Sequence, residues 1–405
     1  MVTSNGTRAK PYEAKPKGFD LRAIIRPNIL ELQPYRCARD DYSSGVLLDA
    51  NENSLGSALP RPSGSYAPLD ADSSDGMGNL HRYPDPQQNE IKARIAKLRG
   101  LRDEIGAAGI FLGVGSDEVI DMLMRVTCYP GKDSILITPP TYGMYSVCAK
   151  VNDVALVKVP LDDTFVPRLD EINAALTPAV KLVFLTSPGN PTGTLIPLQA
   201  VRQLLDHPTW HGLVVLDEAY IDFAEPEASG VTLLNEGYQN LVVMQTLSKG
   251  FGLAGIRLGC CISSRDFAQI LFNTKAPYNI STPTAQLALQ ALEPAAIELT
   301  QRNLAQLIKA RSQLITELIQ LDGIGKVRGA NHANFILIEI LNATSRKPDN
   351  ARAVLVYKTL AEDKGVVVRF RGTEPGCEGC VRITVGSPSE CKTLLREMKL
   401  VLATS

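Results

Sequence analysis

Short apolar runs alternate with amphipathic stretches between about residues 109 and 262. The runs are rich in β-branched residues and lack a regular polar position, as expected for strands buried on both faces. The stretches between them repeat apolar residues at helical spacing. This alternation predicts an α/β fold whose large domain has a mainly parallel sheet covered by helices. The predicted strands are 110–112, 134–138, 154–159, 181–186, 213–216 and 241–244, and the predicted helices between them are 117–128, 142–151 and 197–205.

The pattern changes after about residue 283, where a long helical stretch at 284–319 precedes shorter elements. We predict a smaller α+β domain in this part of the chain. Its predicted strands are 333–340, 366–370 and 381–385, with helices at 351–363 and 389–402. The predicted division is 1–45 for an N-terminal arm and part of the small domain, 46–282 for the large domain, and 283–405 for the small domain.

Composition excludes several classes of protein. The 405 residues carry a formal net charge of −1, with 44% hydrophobic and 21% charged residues, which is ordinary for a globular chain. This balance argues against nucleic-acid and anionic-membrane partners, and no apolar run approaches the ~18 residues of a membrane-spanning helix. Residues 1–18 lack the apolar core of a secretory signal, so we expect a loose arm and a cytoplasmic protein. The Ser-, Pro-, Gly- and Asp-rich stretch 57–79 predicts a surface insertion.

The eight cysteines do not indicate a metal site. Cys377 and Cys380 form a C-x-x-C motif, but a second pair at zinc-binding spacing and a neighbouring histidine are missing from the sequence. Cys260 and Cys261 lie in an apolar run that is typical of buried thiols. We therefore predict reduced cysteines and no bound metal.

A lysine follows the apolar strand at 241–244, within the run TLSKGFGLAGIRLG. An amine just beyond a buried strand is desolvated, which lowers its pKa and suits it to imine chemistry with a carbonyl. Hydroxyl and guanidinium donors around Lys249, namely Thr246, Ser248 and Arg257, suit a phosphate. A lysine beside a phosphate site points to pyridoxal 5′-phosphate (PLP). The alternative for this motif alone is a loop lysine beside a solvated arginine.

Other chemically active side chains also follow predicted strands, where ligands bind in open α/β sheets. Each has a structural alternative. Ser116 or Asp117 would cap a helix, Tyr142 would be a core residue, Asn190 would belong to a plain Pro/Asn/Gly turn, and Asp217 would cap the end of a strand. The functional interpretation assigns backbone phosphate donors, an aromatic that stacks on a planar ring, and a carboxylate for a protonated ring nitrogen. The residues in question are Ser116, Asp117, Tyr142, Asn190, Asp217 and Tyr220.

The joint arrangement of these motifs resembles that of the fold type I PLP-dependent aminotransferases, over nearly the whole chain from about Phe19. Further motifs are similar to those of the histidinol-phosphate aminotransferases of the fungal type. The chain departs from that family in the insertion at 57–79. The motifs are QPY at 33–35, LDANEN at 48–53, HRYPD at 81–85, APYNIS at 276–281 and VRITVG at 381–386.

The resemblance implies a role for each matching residue. Lys249 forms the imine with PLP and then, as the free amine, carries the proton. Asp217 pairs with the pyridinium nitrogen, Asn190 and Tyr220 bond the phenolic oxygen, and Tyr142 stacks on the ring. Residues implied at the phosphate are Ser116, Asp117, Thr246, Ser248 and Arg257, together with Tyr83 from a neighbouring subunit, which implies a homodimer. Residues implied at the substrate are Arg382 at its anionic end, with Tyr35, Asn51 and Arg369 as helpers.

The implied reaction converts L-histidinol phosphate and 2-oxoglutarate to imidazole acetol phosphate and L-glutamate, a step of histidine biosynthesis. Two other enzyme activities use the same residues: transamination of aromatic amino acids, and PLP-dependent decarboxylation of phosphorylated amino acids. A PLP-binding regulator that does not turn over is disfavoured, because about 45 residues precede the Asn51 motif and they carry no helix-turn-helix pattern.

Overall fold

A computed structural model gives the fold. Two sequence predictions lie outside the described residues: the insertion at 57–79, and residues 1–11 of the N-terminal arm. The described residues are 12–36, 38, 41, 48–53 and 80–404.

A seven-stranded sheet forms the centre of the molecule, with the strand order β1-β7-β6-β5-β4-β2-β3. The pairs from β6 through β5, β4 and β2 to β3 are parallel, whereas β7 is antiparallel to both β6 and β1. The α/β fold with a large, mainly parallel sheet is therefore confirmed. The strands are β1 (Ile110–Val114), β2 (Ser134–Ile137), β3 (Ala155–Lys158), β4 (Val180–Thr186), β5 (Leu213–Asp217), β6 (Leu241–Thr246) and β7 (Leu258–Ile262).

Helices cover both faces of this sheet, and the alternation of side chains along each strand divides two apolar cores between the faces. On β5, Val214 and Leu216 belong to one core, whereas Leu213 and Val215 belong to the other. The helices are α1 (Leu21–Ile24), α2 (Pro27–Leu30), α3 (Asn89–Leu98), α4 (Gly115–Thr127), α5 (Met144–Val151), α6 (Leu169–Ala175), α7 (Leu198–Leu205), α8 (Val231–Asn235), α9 (Arg265–Thr274), α10 (Thr282–Ala291), α11 (Pro294–Leu318), α12 (Asn350–Glu362) and α13 (Pro388–Thr404).

A second, four-stranded antiparallel sheet follows in the order β10-β11-β9-β8. Its apolar face packs on α11, α12 and α13 around a third core that includes Ile338, Val356 and Met398. This is the smaller α+β unit that the sequence predicts. Its strands are β8 (Ile324–Arg328), β9 (Phe335–Ile340), β10 (Arg369–Phe370) and β11 (Cys380–Thr384).

The long helix predicted at 284–319 is wrong in one respect, because the structure divides it into α10 and α11. Pro294 disfavours a helical conformation at the residue before it, and Glu293 is accordingly extended, with φ −71° and ψ 148°. The short strand β8 was not predicted, because its partly exposed sequence lacks a continuous apolar run. The division of the chain into domains at 45 and 282 stays a prediction.

No helix among the described residues is long and apolar enough to cross a membrane.

Candidate active site

A cleft lies at the edge of the large sheet where β1, β2, β4, β5 and β6 end. Because β7 runs in the opposite direction, its amino end lies at the same edge. The cleft encloses about 600 Å³ of space, which includes the solvent at its open mouth. The lining includes Lys249 and every predicted PLP-binding residue except Tyr83: Ser116, Asp117, Tyr142, Asn190, Asp217, Tyr220, Thr246, Ser248 and Arg257.

One end of the cleft is built to receive an anion. Helix α4 begins there at Gly115, whose φ of +71° and missing Cβ leave room for the Arg257 guanidinium against the backbone. Arg257 also lies 3.4 Å from a carboxylate oxygen of Asp117. On the neighbouring strand a Cβ at Gly259 would come within 2.5 Å of the Gly115 backbone, so a larger residue would push the helix start away. Free N–H groups at a helix start and a guanidinium together favour a phosphate.

The turn after β6 supplies hydroxyl groups to the same end. The Thr246 hydroxyl oxygen lies 2.9 Å from the Ser248 hydroxyl and 2.9 Å from the backbone oxygen of Leu258, and it accepts a bond from the Ser248 N–H. Thr246 thus fixes the turn, and Ser248 lines the cleft beside the anion-binding end. The alternative in which Ser116 or Asp117 caps α4 is not observed, because the N-cap of this described helix is Val114, without a side-chain cap.

Lys249 lies between the anion-binding end and the opposite wall, with its amine 5.8 Å from the centre of the Tyr220 ring. Desolvation by the cleft walls lowers the pKa of Lys249, and the positive charges of Arg382 and Arg257 lower it further. A lysine in this setting releases its proton more readily than a solvated one, as the sequence predicts.

A buried carboxylate lies at the other end of the cleft. Asp217 ends β5, is 3% exposed, and accepts bonds from the Tyr145 hydroxyl at 2.6 Å and from the Ala219 N–H at 3.2 Å. Burial raises the pKa of Asp217, although the Tyr145 bond opposes that shift. A cationic partner in the cleft would favour the charged form of this carboxylate.

Tyr142 and Tyr220 form two walls of the cleft. The Tyr142 hydroxyl donates to Asp117 at 3.0 Å, which leaves the ring beside the cleft. Tyr220 is 8% exposed and packs edge-on against Phe335 of β9, with ring centres 5.1 Å apart. Burial raises the pKa of Tyr220, so this phenol is a hydrogen-bond donor at neutral pH.

Arg382 reaches the cleft from the smaller sheet. Its guanidinium donates to the side-chain oxygen of Asn190 and lies 5.3 Å from the centre of the Phe335 ring. Asn190 stands between two cis peptide bonds, Ser187–Pro188 and Asn190–Pro191. Arg369 lies opposite Arg382 on the adjacent strand β10 and is exposed. The predicted anion-binding arginine and the predicted cleft asparagine are thus in direct contact.

The remaining predicted residues lie away from this cleft. Asn51 and Tyr83 line a second cavity, where the Tyr83 ring stacks on Tyr278 with centres 4.6 Å apart. Tyr35 meets the same Tyr278 edge-on at 6.1 Å. The Tyr35 and Tyr83 side chains are 60% and 53% exposed, so this chain leaves much of their surface uncovered.

The sequence did not identify Tyr145 or Thr186 as site residues. Tyr145 is fully buried and bonds both Asp217 and, at 2.9 Å, the Thr186 hydroxyl. In the predicted helix 142–151, Tyr145 lies three residues after Tyr142, and this spacing was the available signal because residues three apart share a helix face. Thr186 ends β4, just before the motif that contains Asn190.

Comparisons of this chain with a family model and with known proteins indicate the same family. A model of aminotransferase class I and II matches residues 43–398. The histidinol-phosphate aminotransferase of Schizosaccharomyces pombe is 50% identical over 391 residues, covering 95% of this chain and 98% of the relative. The histidinol-phosphate aminotransferase of Candida maltosa is 46% identical over 398 residues, with 95% and 98% covered.

A solved structure shares the fold. The histidinol-phosphate aminotransferase of Sinorhizobium meliloti, in complex with pyridoxal-5′-phosphate, superposes with a TM-score of 0.72 at 23% identity. The match covers 88% of this chain and 90% of that one. At that identity the likeness establishes the fold.

Proposed function

Because this chain belongs to the class I and II aminotransferases, and within them to the histidinol-phosphate aminotransferases, we propose that its cleft transfers the amino group of L-histidinol phosphate to 2-oxoglutarate. The family depends on PLP, so the chain is a PLP-dependent transaminase. The family, fold, activity and cofactor predicted from the sequence are therefore confirmed.

One observation carries the assignment of the cleft: Lys249 lies between an anion-binding end and a buried carboxylate. PLP has a phosphate at one end, a pyridine nitrogen at the other, and an aldehyde between them. The start of α4, Ser248 and Arg257 match the phosphate, and Asp217 matches a protonated ring nitrogen. When bound, PLP supplies an electron sink for the carbon that loses its proton.

Each residue then has a defined task. Lys249, with its lowered pKa, takes the proton from the substrate Cα and returns it elsewhere in the same site. Asp217 would hold the charged ring nitrogen of PLP, and Tyr145 keeps that carboxylate oriented. Tyr220 would donate its hydroxyl hydrogen to the phenolic oxygen of PLP, and Tyr142 would stack on the ring.

Arg382 binds the anionic end of both substrates. Transamination is a ping-pong reaction, so one site accepts two substrates in turn. Histidinol phosphate presents a phosphate ester and 2-oxoglutarate a carboxylate, and a guanidinium can donate two parallel hydrogen bonds to either anion. The contact with Asn190 holds the Arg382 guanidinium at the cleft wall before a substrate arrives. Arg369, on the adjacent strand, adds positive charge at the same wall.

The exposed tyrosines support a homodimer with shared sites. Tyr35, Tyr83 and Asn51 lie outside the cleft of their own chain. In a two-fold dimer such residues complete the neighbouring site, Tyr83 at the phosphate and the other two at the substrate. The proposed enzyme acts in the cytoplasm on small molecules.

The test follows the visible absorbance of the PLP-loaded protein. Adding L-histidinol phosphate without an oxo acid should remove the band of the Lys249-bound cofactor, and 2-oxoglutarate should restore it. Phenylalanine and O-phosphothreonine, added separately, represent the two other activities. The proposed substrate would be contradicted if histidinol phosphate left the absorbance band unchanged and phenylalanine removed it. It would also be contradicted if histidinol phosphate left the band unchanged and the enzyme released CO₂ from O-phosphothreonine.

A further inference from the structure

A second buried carboxylate lies directly after Asp217, on the opposite face of the sheet. Glu218 is 1% exposed, and its backbone N–H donates to Met244 of β6 at 2.8 Å. Since successive side chains of a strand point to opposite faces, Asp217 faces the core that contains Tyr145 and Glu218 faces the other core. Glu218 therefore does not share the cleft wall with Asp217.

Three uncharged donors converge on the Glu218 carboxylate. One oxygen accepts from the Ser229 hydroxyl at 2.6 Å and from the Gln245 amide at 2.8 Å. The other accepts from the Gly230 N–H at 2.6 Å. Burying a carboxylate is costly unless such donors replace its water, so the two segments that hold these donors are fixed relative to Glu218.

These bonds connect the two strand ends that carry the cleft chemistry. Gln245 is 2% exposed and lies on β6. It directly precedes Thr246, the last residue of the strand, after which the turn leads to Lys249. Ser229 and Gly230 lead into α8, which packs against β6. A shift of Glu218 would therefore move the end of β5, with Asp217, relative to the turn that carries Lys249.

Burial and neighbouring charged groups act in opposite directions on the pKa of Glu218. Burial raises the pKa of Glu218 to about 7, although its hydrogen bonds and the positive charge of Arg99 oppose that shift. Arg99 is itself paired with Asp222 at 2.7 Å, and the Cys260 thiol of β7 lies near both. Asp222 also packs against Gly250, where a Cβ would come within 2.5 Å of its side chain.

We propose that Glu218 is a positioning residue for transamination, which sets the distance between Asp217 and Lys249 through its bonds to Ser229, Gly230 and Gln245. This proposal rests on the proposed function of the cleft. The Glu218 carboxylate is not among the described residues that line the cleft. It acts by holding the ends of β5 and β6 in the register that the reaction needs, since small displacements of reacting groups lower rates steeply.

The test compares Glu218→Leu, which removes all three bonds at similar volume, with Glu218→Gln, which keeps the volume and most of the bonding capacity. The matched control is Asp133→Leu, which removes a 3% exposed carboxylate at the opposite end of the sheet, where it bonds the Tyr129 N–H at 2.8 Å. Ser229→Ala removes one of the three bonds to Glu218, together with the 3.2 Å bond that the Ser229 hydroxyl accepts from the Val231 N–H, and it serves if Glu218→Leu does not fold. For each protein we would measure bound PLP, the rate of each half-reaction per bound PLP, and the substrate concentration that gives half the maximal rate.

We expect Glu218→Leu to lower both half-reaction rates per bound PLP by about tenfold or more, with half-saturating concentrations within about twofold of wild type. Glu218→Gln should recover to within about threefold, Ser229→Ala should show a smaller loss in the same direction, and Asp133→Leu should match wild type. Unchanged rates per bound PLP in Glu218→Leu, or in Ser229→Ala should Glu218→Leu not fold, would overturn the positioning role. The wild-type response to histidinol phosphate decides the proposed function separately, because the variant-to-wild-type ratio can be measured with any amino donor that reacts.

Discussion

Replacing Arg382 with alanine should weaken both substrates together. The guanidinium reaches the cleft wall from β11 and is held there by Asn190. A hydrogen bond to a charged group contributes about 1.5–3 kcal/mol, so a two-pronged contact with a substrate anion contributes about 3–6 kcal/mol. At about 1.4 kcal/mol for each factor of ten, this corresponds to a loss of about 10²–10⁴ in kcat/KM. Arg382→Lys should fall between alanine and wild type, because an ammonium keeps the charge but not the fork.

The assay is the rate of each half-reaction as a function of histidinol phosphate and of 2-oxoglutarate, measured separately on PLP-loaded protein. Most of the loss should appear as a raised KM, because the anion contact is made in the ground state as well as in the transition state. Arg396→Ala, an exposed charge loss on α13 with 68% of the side chain accessible, is the control for net charge. A loss confined to one substrate would refute the idea that one guanidinium serves both.

Three further perturbations have defined outcomes. Lys249→Ala should reduce turnover by several orders of magnitude while the far-ultraviolet circular dichroism stays that of wild type, and retained turnover would contradict the role of the lysine. Tyr145→Phe should lower the free energy of unfolding of the PLP-free protein by about 1–3 kcal/mol in urea titrations, because the buried Asp217 carboxylate loses its 2.6 Å donor; an unchanged unfolding midpoint would count against this. Glu218 binds its proton more tightly in the folded state, with a pKa of about 7 against an ordinary 4.5. The stabilisation that comes from this raised pKa is therefore complete below pH 4.5 and is lost as the pH rises to 7. Across that window the free energy of unfolding of wild type should fall by about 3 kcal/mol relative to that of Glu218→Gln. Parallel curves of unfolding free energy against pH for the two proteins would contradict the raised pKa.

The sequence predicted the residues of the cleft, but it did not predict the contact between the two sheets at the cleft wall. Lys249, Asp217 and Asn190 each follow an apolar run, and parallel strands bring their carboxyl ends to one edge, so local patterns were sufficient there. The contact between Arg382 and Asn190 joins two sheets whose relative placement is set by tertiary packing, which no local pattern encodes.

Two other features escaped prediction for related reasons. The direction of β7 follows from its pairing with distant strands rather than from its own apolar residues. Glu218 had no recognisable partner in the sequence, since its donors Ser229 and Gln245 become neighbours only in the folded chain.

The position of β7 has a consequence for the order in which parts of the large sheet form during synthesis. Among the described strands, β1 pairs with β7 alone, with Ile110 opposite Ile262 and Val114 opposite Leu258. A nascent chain that has not yet emerged past Ile262 therefore lacks the strand that holds β1, and with it the start of α4, in place. Long-range pairings of this kind form late because the intervening chain must first be ordered. On the ribosome, β6, which precedes Lys249, can therefore pair with its parallel neighbours before β7 emerges, whereas the anion-binding end of the cleft is completed only after β7 has emerged.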